Sequence, residues 1–282
     1  MRRQARLPIN MIVKIYSETD PGRARSQNED SIASDAEMGL CILADGMGGH
    51  NAGEVASGMA TAFIKSEMCE ALTRTGKNGT PAALQLALAQ SIEKANGAIF
   101  NMSRTNRQYA GMGTTLVVGV FYGDALELAH IGDSRCYRLR DKQMQQLTKD
   151  HSLLQEQVDS GLVAADSAIP RSPGQNLVTR ALGVDHAVQA DIDHFDLALG
   201  DIYLLCSDGL SDMVSDDAIA AILRSEEPFE QKPKQLVAAA NEGGGRDNIS
   251  VMLVQVCDEP KTGLLGSARR AIQGVWSGAK RN

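Results

Sequence analysis

The chain has few of the features that mark common metal, redox and membrane frameworks. Its 282 residues hold five cysteines, Cys41, Cys69, Cys136, Cys206 and Cys257, and no two form a CxxC pair. Most lie in apolar runs such as Cys41-Ile42-Leu43, which reads as buried thiols in a reducing compartment, not zinc ligands or a disulfide frame. No stretch approaches 18 uninterrupted apolar residues, so no spanning helix is expected. The basic start MRRQARLPIN lacks a following apolar stretch, so no secretory signal is expected and a cytoplasmic location is. Basic residues are outnumbered, 28 Lys and Arg against 35 Asp and Glu, for a net charge of −7. That balance argues against a nucleic-acid face and leaves the acidic excess free for cation binding.

Several motifs fail on inspection. In the run Gly48 to Glu54, Glu54 stands where a Walker phosphate loop needs Lys. Counted from Gly46, the dinucleotide fingerprint places Asn51 where its third Gly belongs. Gly111-Met112-Gly113 also lacks a third Gly, and neither GxSxG nor HExxH occurs. No internal repeat is present. Hydrophobic residues at 43% and charged ones at 22% exclude wholesale disorder, collagen and coiled coil.

What remains is a strand-rich pattern with helices in pairs. Residues 11–17, 39–44, 114–121, 125–131, 136–140, 201–207 and 249–256 read as strands. Residues 53–74 read as a helix with Val55, Met59, Phe63 and Ala62 on one face. A second helix runs to about Met102 with Leu84, Leu88, Ile92, Ala95 and Ile99 as its stripe. Residues 153–160, 216–224 and 234–241 read as helical, and 148–190 as otherwise polar and irregular. The links in the 114–140 block are too short for crossover helices, so those strands should pair antiparallel. The element order suggests sheet-on-sheet packing with helices outside, an α+β fold.

Acidic residues recur where strand-like runs break into turns: Glu29 and Asp30 in RSQNEDS, Asp45 in LADGMGG, Asp133 in HIGDSR, Asp208 in LLCSDGL and Asp247 in GGRDNIS. Any one of them is ordinary turn chemistry. Together they could gather at one edge of the sheets, where like charges raise each other's pKa values unless a cation offsets them. Oxygen-only ligands suit Mg or Mn, and carboxylates beyond the needs of one ion suggest two. Arg25, four residues before Glu29, could hold two phosphate oxygens with its guanidinium fork or form a surface salt bridge.

At these residues the sequence resembles the metal-dependent protein phosphatases of type 2C in their bacterial form. The matching stretches are DPGRARSQNED (20–30), DGMGGH (45–50), GMGTT (111–115), GDSR (132–135), TRALG (179–183), SDGL (207–210) and RDNIS (246–250), in the family's order. The resemblance implies a four-layer α/β/β/α sandwich of two antiparallel sheets flanked by helices. It implies hydrolysis of phosphoserine and phosphothreonine in proteins with two Mn2+ or Mg2+ ions and a third, weaker position. By motif, Asp45 would bridge two metals, the Gly46 carbonyl would ligate one, and Asp208 and Asp247 would hold the first. Glu29 would support the second, with Asp30 near it, and Asp133 would share the third position with Asp208. Arg25 would bind the substrate phosphate. Animal members place a candidate acid His directly after the Asp-Gly; here Met47, Gly48 and Gly49 intervene, so His50 is the equivalent general acid only if the loop folds back.

A catalytic domain over 11–257 is expected, with a flap at about 148–185 where Ser172-Pro173 stands in place of the His-Pro of many bacterial relatives. The basic amphipathic tail, 258–282, reads as a solvated or docked terminus in preference to a membrane contact. Expected partners are phosphorylated proteins and a cognate serine/threonine kinase, with no nucleic acid. A phosphoprotein-binding regulator without turnover and a small phosphate-ester hydrolase are the alternatives on the same fold.

Overall fold

The structure, a computed structural model, describes residues 11–49, 52–75, 80–163 and 177–258. One sheet holds β1 (Met11–Asp20), β7 (Arg135–Arg140), β8 (Gln143–Gln146), β10 (Ile202–Cys206) and β11 (Ile249–Asp258), in the order β1-β11-β10-β7-β8. The other holds β2 (Asp30–Asp35), β3 (Leu40–Met47), β5 (Leu116–Tyr122), β6 (Ala125–Ile131) and β9 (Asp191–Asp196) in that order, with the short β4 (Gly113–Thr114) on the end of β3. The strand pairs in both sheets are antiparallel.

Two-residue periodicity sorts the side chains into separate layers. Along β3, Leu40, Ile42 and Ala44 pack beneath helices α1 (Ala52–Thr75) and α2 (Pro81–Thr105), while Cys41 and Leu43 face the opposite sheet. Along β11, Ile249, Val251 and Leu253 pack against α5 (Asp216–Arg224) and α6 (Lys232–Glu242), while Met252, Val254 and Val256 enter the inter-sheet layer. Three apolar layers therefore separate four structural ones. Strands buried on both faces must be nearly continuous hydrophobic runs, and β3, β5, β10 and β11 are the runs most legible in the sequence.

The stripe expected on α2 is buried as read, from Leu84 to Ile99. The face expected on α1 is corrected. Its fully buried line is Ala56, Ala60, Ile64 and Met68, flanked by Ala52 and Leu72, whereas Phe63 is exposed. The alanines let the helix lie close on β2 and β3, so small residues rather than bulky ones mark the buried side. Strands β2, β8 and β9 went unread because they are polar; none contains a fully buried residue. Two short α-helices, α3 (Leu153–Asp159), capped by the Ser152 hydroxyl, and α4 (Asp208–Ser211), and 3-10 turns at Arg107–Tyr109 and Phe229–Gln231 complete the described elements. Residues 164–176, which include Ser172-Pro173, and the tail 259–282 lie outside the described residues, as does His50. Among the described residues no helix is long and apolar enough to cross a membrane.

A carboxylate centre where the two sheets end

Both sheets send strand ends to one place. Asp30 opens β2 and Asp45 lies near the end of β3, and the two are register partners. Asp208 follows β10 at the first turn of α4, Asp133 sits in the β6–β7 turn, and Asp247 precedes β11. Burial, followed by the charges of Asp30, Asp208, Asp133 and Asp247, pushes the Asp45 carboxyl well above its ordinary value. Burial, then Asp133, Asp212, Asp247 and Asp30, does the same to Asp208. Asp30 and Asp133 are each raised to about 6, in both cases by burial first. The acids read from separate segments of the sequence thus stand within electrostatic reach of one another.

Backbone clamps fix these positions. Asp45 donates its N–H to Thr115 Oγ1 (3.0 Å), and its carbonyl accepts from the Thr115 N–H (2.9 Å) and the Thr114 hydroxyl (2.8 Å). Thr115 and Ser134 share a hydroxyl hydrogen bond of 2.8 Å, which ties the Asp133 turn to the Asp45 strand. Asn248 organises the arginine-bearing loop. Its Nδ2 donates to the carbonyls of Pro21 (3.0 Å) and Gln27 (2.8 Å), and its Oδ1 accepts from the Glu29 N–H (2.8 Å). Gly46 has no room for a side chain between the carbonyls of Gly53 and Glu29. A Cβ at Gly53, in the first turn of α1, would lie 2.8 Å from the Glu29 carboxyl carbon, so glycine there lets Glu29 sit on the helix start.

Arg25 reaches the rim of this centre, where its Nη2 donates to Asp247 Oδ2 at 2.7 Å with both side chains partly exposed. Glu29 is raised by burial, then held down by Arg25, which places it on the same side. On the opposite side, Asp133, Asp208, Asp212, Arg135, Asp150, Ser152, Leu154 and Ser211 line a cavity of about 30 Å3, room for one water-sized particle. Arg135 grips Asp150 there through Nε and Nη2, at 3.0 and 2.7 Å to its two oxygens. Sequence reading missed Asp212 and Asp150. Asp212 was signalled by its four-residue spacing from Asp208, one helical turn.

The donors present fit a hard divalent cation. Asp30 Oδ1 and Asp208 Oδ1 are buried with no hydrogen-bond partner among the described residues, an arrangement that is costly unless a ligand satisfies them. The carboxylates supply oxygen alone, as Mg2+ and Mn2+ prefer. A second group, His130, His151 and Asp191, brings its ligand atoms within 4.8 Å of one another. Its protonation opposes metal binding. His151 Nδ1 accepts the Gly132 N–H (3.1 Å), so the neutral ring carries its proton on Nε2, which faces Asp191 and Arg180 at 3.4 Å each. This trio clasps the Asp133 turn to the segment around Arg180.

Fold and site together define a class: a four-layer phosphohydrolase sandwich with its acidic centre where the sheets end. The family model described as Protein phosphatase 2C matches residues 22–253. The serine/threonine phosphatase stp of Listeria monocytogenes is 37% identical over 240 residues, 84% of this chain and 93% of that protein. Among solved structures, the S. agalactiae serine/threonine phosphatase has a TM-score of 0.79 at 36% identity, covering 86% of this chain and 99% of that one. The catalytic domain of serine/threonine protein phosphatase PstP, in complex with two manganese ions, has a TM-score of 0.75 at 37% identity, covering 88% and 100%. The chain belongs to the protein phosphatase 2C family.

Proposed function

We propose that this chain hydrolyses phosphoserine and phosphothreonine in proteins at the carboxylate centre, using two Mn2+ or Mg2+ ions. The observation that carries the reading is the convergence of Asp30, Asp45, Asp133, Asp208 and Asp247 from distant parts of the chain, with buried oxygens left unpartnered. Ions held there would lower the pKa of a bound water, so that hydroxide is available as the nucleophile for phosphorus near neutral pH. Asp45, central to the cluster, is the residue we assign to both ions, with the Gly46 carbonyl to one of them, Asp208 and Asp247 to the first, and Glu29 to the second with Asp30 near it. Asp133 and Asp208, which flank the 30 Å3 cavity, are assigned to a third, weaker position.

Arg25 orients the phosphoryl group. Its guanidinium already lies at the rim beside Asp247 and has enough exposure to meet a substrate. His50 is assigned as the acid that protonates the departing serine or threonine oxygen. The domain carrying this chemistry is assigned to residues 11–257, the flap to 148–185 and the tail to 258–282. A serine/threonine kinase supplying the phosphoproteins, in the cytoplasm, completes the reading.

The test is phosphate release from a phosphothreonine peptide with added Mn2+ and again in EDTA. Release that requires Mn2+ and is removed by Asp45→Asn supports the assignment; no release by the unaltered protein with Mn2+ overturns it. A small phosphate ester assayed alongside separates a protein phosphatase from an ester hydrolase.

A further inference from the structure

A cleft of about 410 Å3 opens on the α2 side of the molecule, lined by Phe100, Ser103, Arg104, Ala110, Gly111, Gly183 and Val184. The hydroxyl of Ser103 is spent on the Phe100 carbonyl (2.8 Å), and Arg104 is the one charged side chain among the lining residues. That guanidinium lies 6.0 Å from the centre of the Phe100 ring and has no carboxylate partner among the described residues. An arginine held on an aromatic face, in a chain of net charge −7, is a localised positive point suited to one anionic group.

β4 joins the wall of the cleft to the strand that carries Asp45. A Cβ at Gly113 would meet Val184 Cγ2 at 2.9 Å and Met47 Cγ at 3.5 Å, so the cleft wall packs on the strand that carries Asp45. Thr114 N donates to the Leu182 carbonyl (3.1 Å) while its hydroxyl donates to the Asp45 carbonyl (2.8 Å). Gly111 stands four residues before Thr115, the hydrogen-bond partner of Asp45. Four residues of chain span at most about 14 Å, so Gly111 on the cleft wall lies no farther than that from Thr115.

We infer that this cleft is a substrate subsite that takes the carboxylate of an Asp or Glu three to five residues from the phosphorylated residue, with Arg104 as its partner. The inference rests on the phosphoprotein reading above and names a determinant of which phosphoproteins bind. An extended peptide seated with its phosphoryl group at the centre spans the distance in about four residues. Phe100 and Val184 pack against its intervening apolar atoms.

The test uses fluorescence anisotropy with labelled peptides that carry a non-hydrolysable phosphonate in place of phosphothreonine, with Mn2+ present. Asp is compared with Asn at positions three to five on each side. In the unaltered protein Asp on one side tightens Kd by about threefold, the size of an exposed ion pair. Arg104→Gln brings the ratio to about one, Arg104→Glu inverts it, and Arg104→Lys keeps most of it. The same ratio in Arg104→Gln as in the unaltered protein, or no Asp preference on either side, overturns the subsite. Mn2+-dependent phosphate release by the unaltered protein from a phosphothreonine peptide without Asp or Glu, which has no carboxylate for the cleft, tests the phosphatase reading separately. Its absence would sink that reading, while the Kd ratios still decide the subsite.

Discussion

Asp30 and Asp45 stand directly opposite each other as register partners on β2 and β3. Antiparallel partners place their side chains about 5 Å apart, where two carboxylates repel. The Ser207 hydroxyl donates to Asp30 Oδ2 at 2.9 Å, but the other Asp30 oxygen is buried without a partner among the described residues. A sheet edge selected for stability alone would not put these residues face to face, so the pair marks the strain that a cation relieves.

Removing one charge of this pair should separate stability from activity. Asp45→Asn keeps the shape and deletes the most crowded charge. Without metal its Tm should rise by about 2–4 °C, the response to roughly 1 kcal/mol in a chain of this size. Turnover of a phosphothreonine peptide should fall by about 100-fold or more, since changes even beyond the direct ligands of a metal cost about 10–100-fold. A thermal melt and an initial-rate assay on the same preparation check both.

The carboxylates also set a pH dependence. Asp30 and Asp133 are raised from 3.8 to about 6 in the folded protein by burial first. Groups raised on folding contribute stability that is present in full below the unfolded value and lost as pH rises through about 6. The metal-free protein should therefore melt higher near pH 5 than near pH 7. Protons and Mn2+ compete for the same oxygens, so the Tm gain from Mn2+ should shrink over about pH 7.5 to 5.5. Melts across that range with and without Mn2+ decide it; a gain independent of pH would count against cation binding at these acids.

On β6, next to the edge strand β9 of the sheet that holds β2 and β3, the buried Glu127 carboxylate accepts from Tyr122 (2.8 Å), Gln85 (2.9 Å) and His194 Nδ1 (2.7 Å). The hydrogen bond to Glu127 raises the His194 pKa above its ordinary 6.5. The stabilisation is complete below about 6.5 and lost as pH rises through the higher folded value. His194→Gln should destabilise the protein more at about pH 6 than at pH 9, read as the difference between the two melting curves.

Arg25→Ala should act chiefly on KM, raising it by about tenfold with a smaller change in kcat, as expected for a group that captures phosphate. Its ion pair with Asp247 is partly exposed, so Tm should move little. Steady-state kinetics on the phosphothreonine peptide provide the check; an unchanged KM would remove Arg25 from the site.

Much of this centre was legible because it is local chemistry repeated. Asp45, Asp133 and Asp208 each follow an apolar strand that the sequence announces, and Asp247 precedes one. Asp212 carried a signal, its one-turn spacing from Asp208, that went unread, while Asp150 was not legible, since its place depends on the grip of Arg135. The α1 face was misread because Ala56 and Ala60 carry its contact with the sheet, and alanine gives little hydrophobic signal. Strands β2, β8 and β9 escaped notice because their order comes from ladder hydrogen bonds with apolar neighbours, not from their own burial.

The most direct measurement is calorimetric titration of Mn2+ into the metal-free protein at about pH 7.5, in parallel with Asp45→Asn. The unaltered chain should bind at least two ions, with binding severely weakened in the variant. No binding by the unaltered chain, or equal binding by both, would contradict the claim that the converging carboxylates form a paired-cation centre.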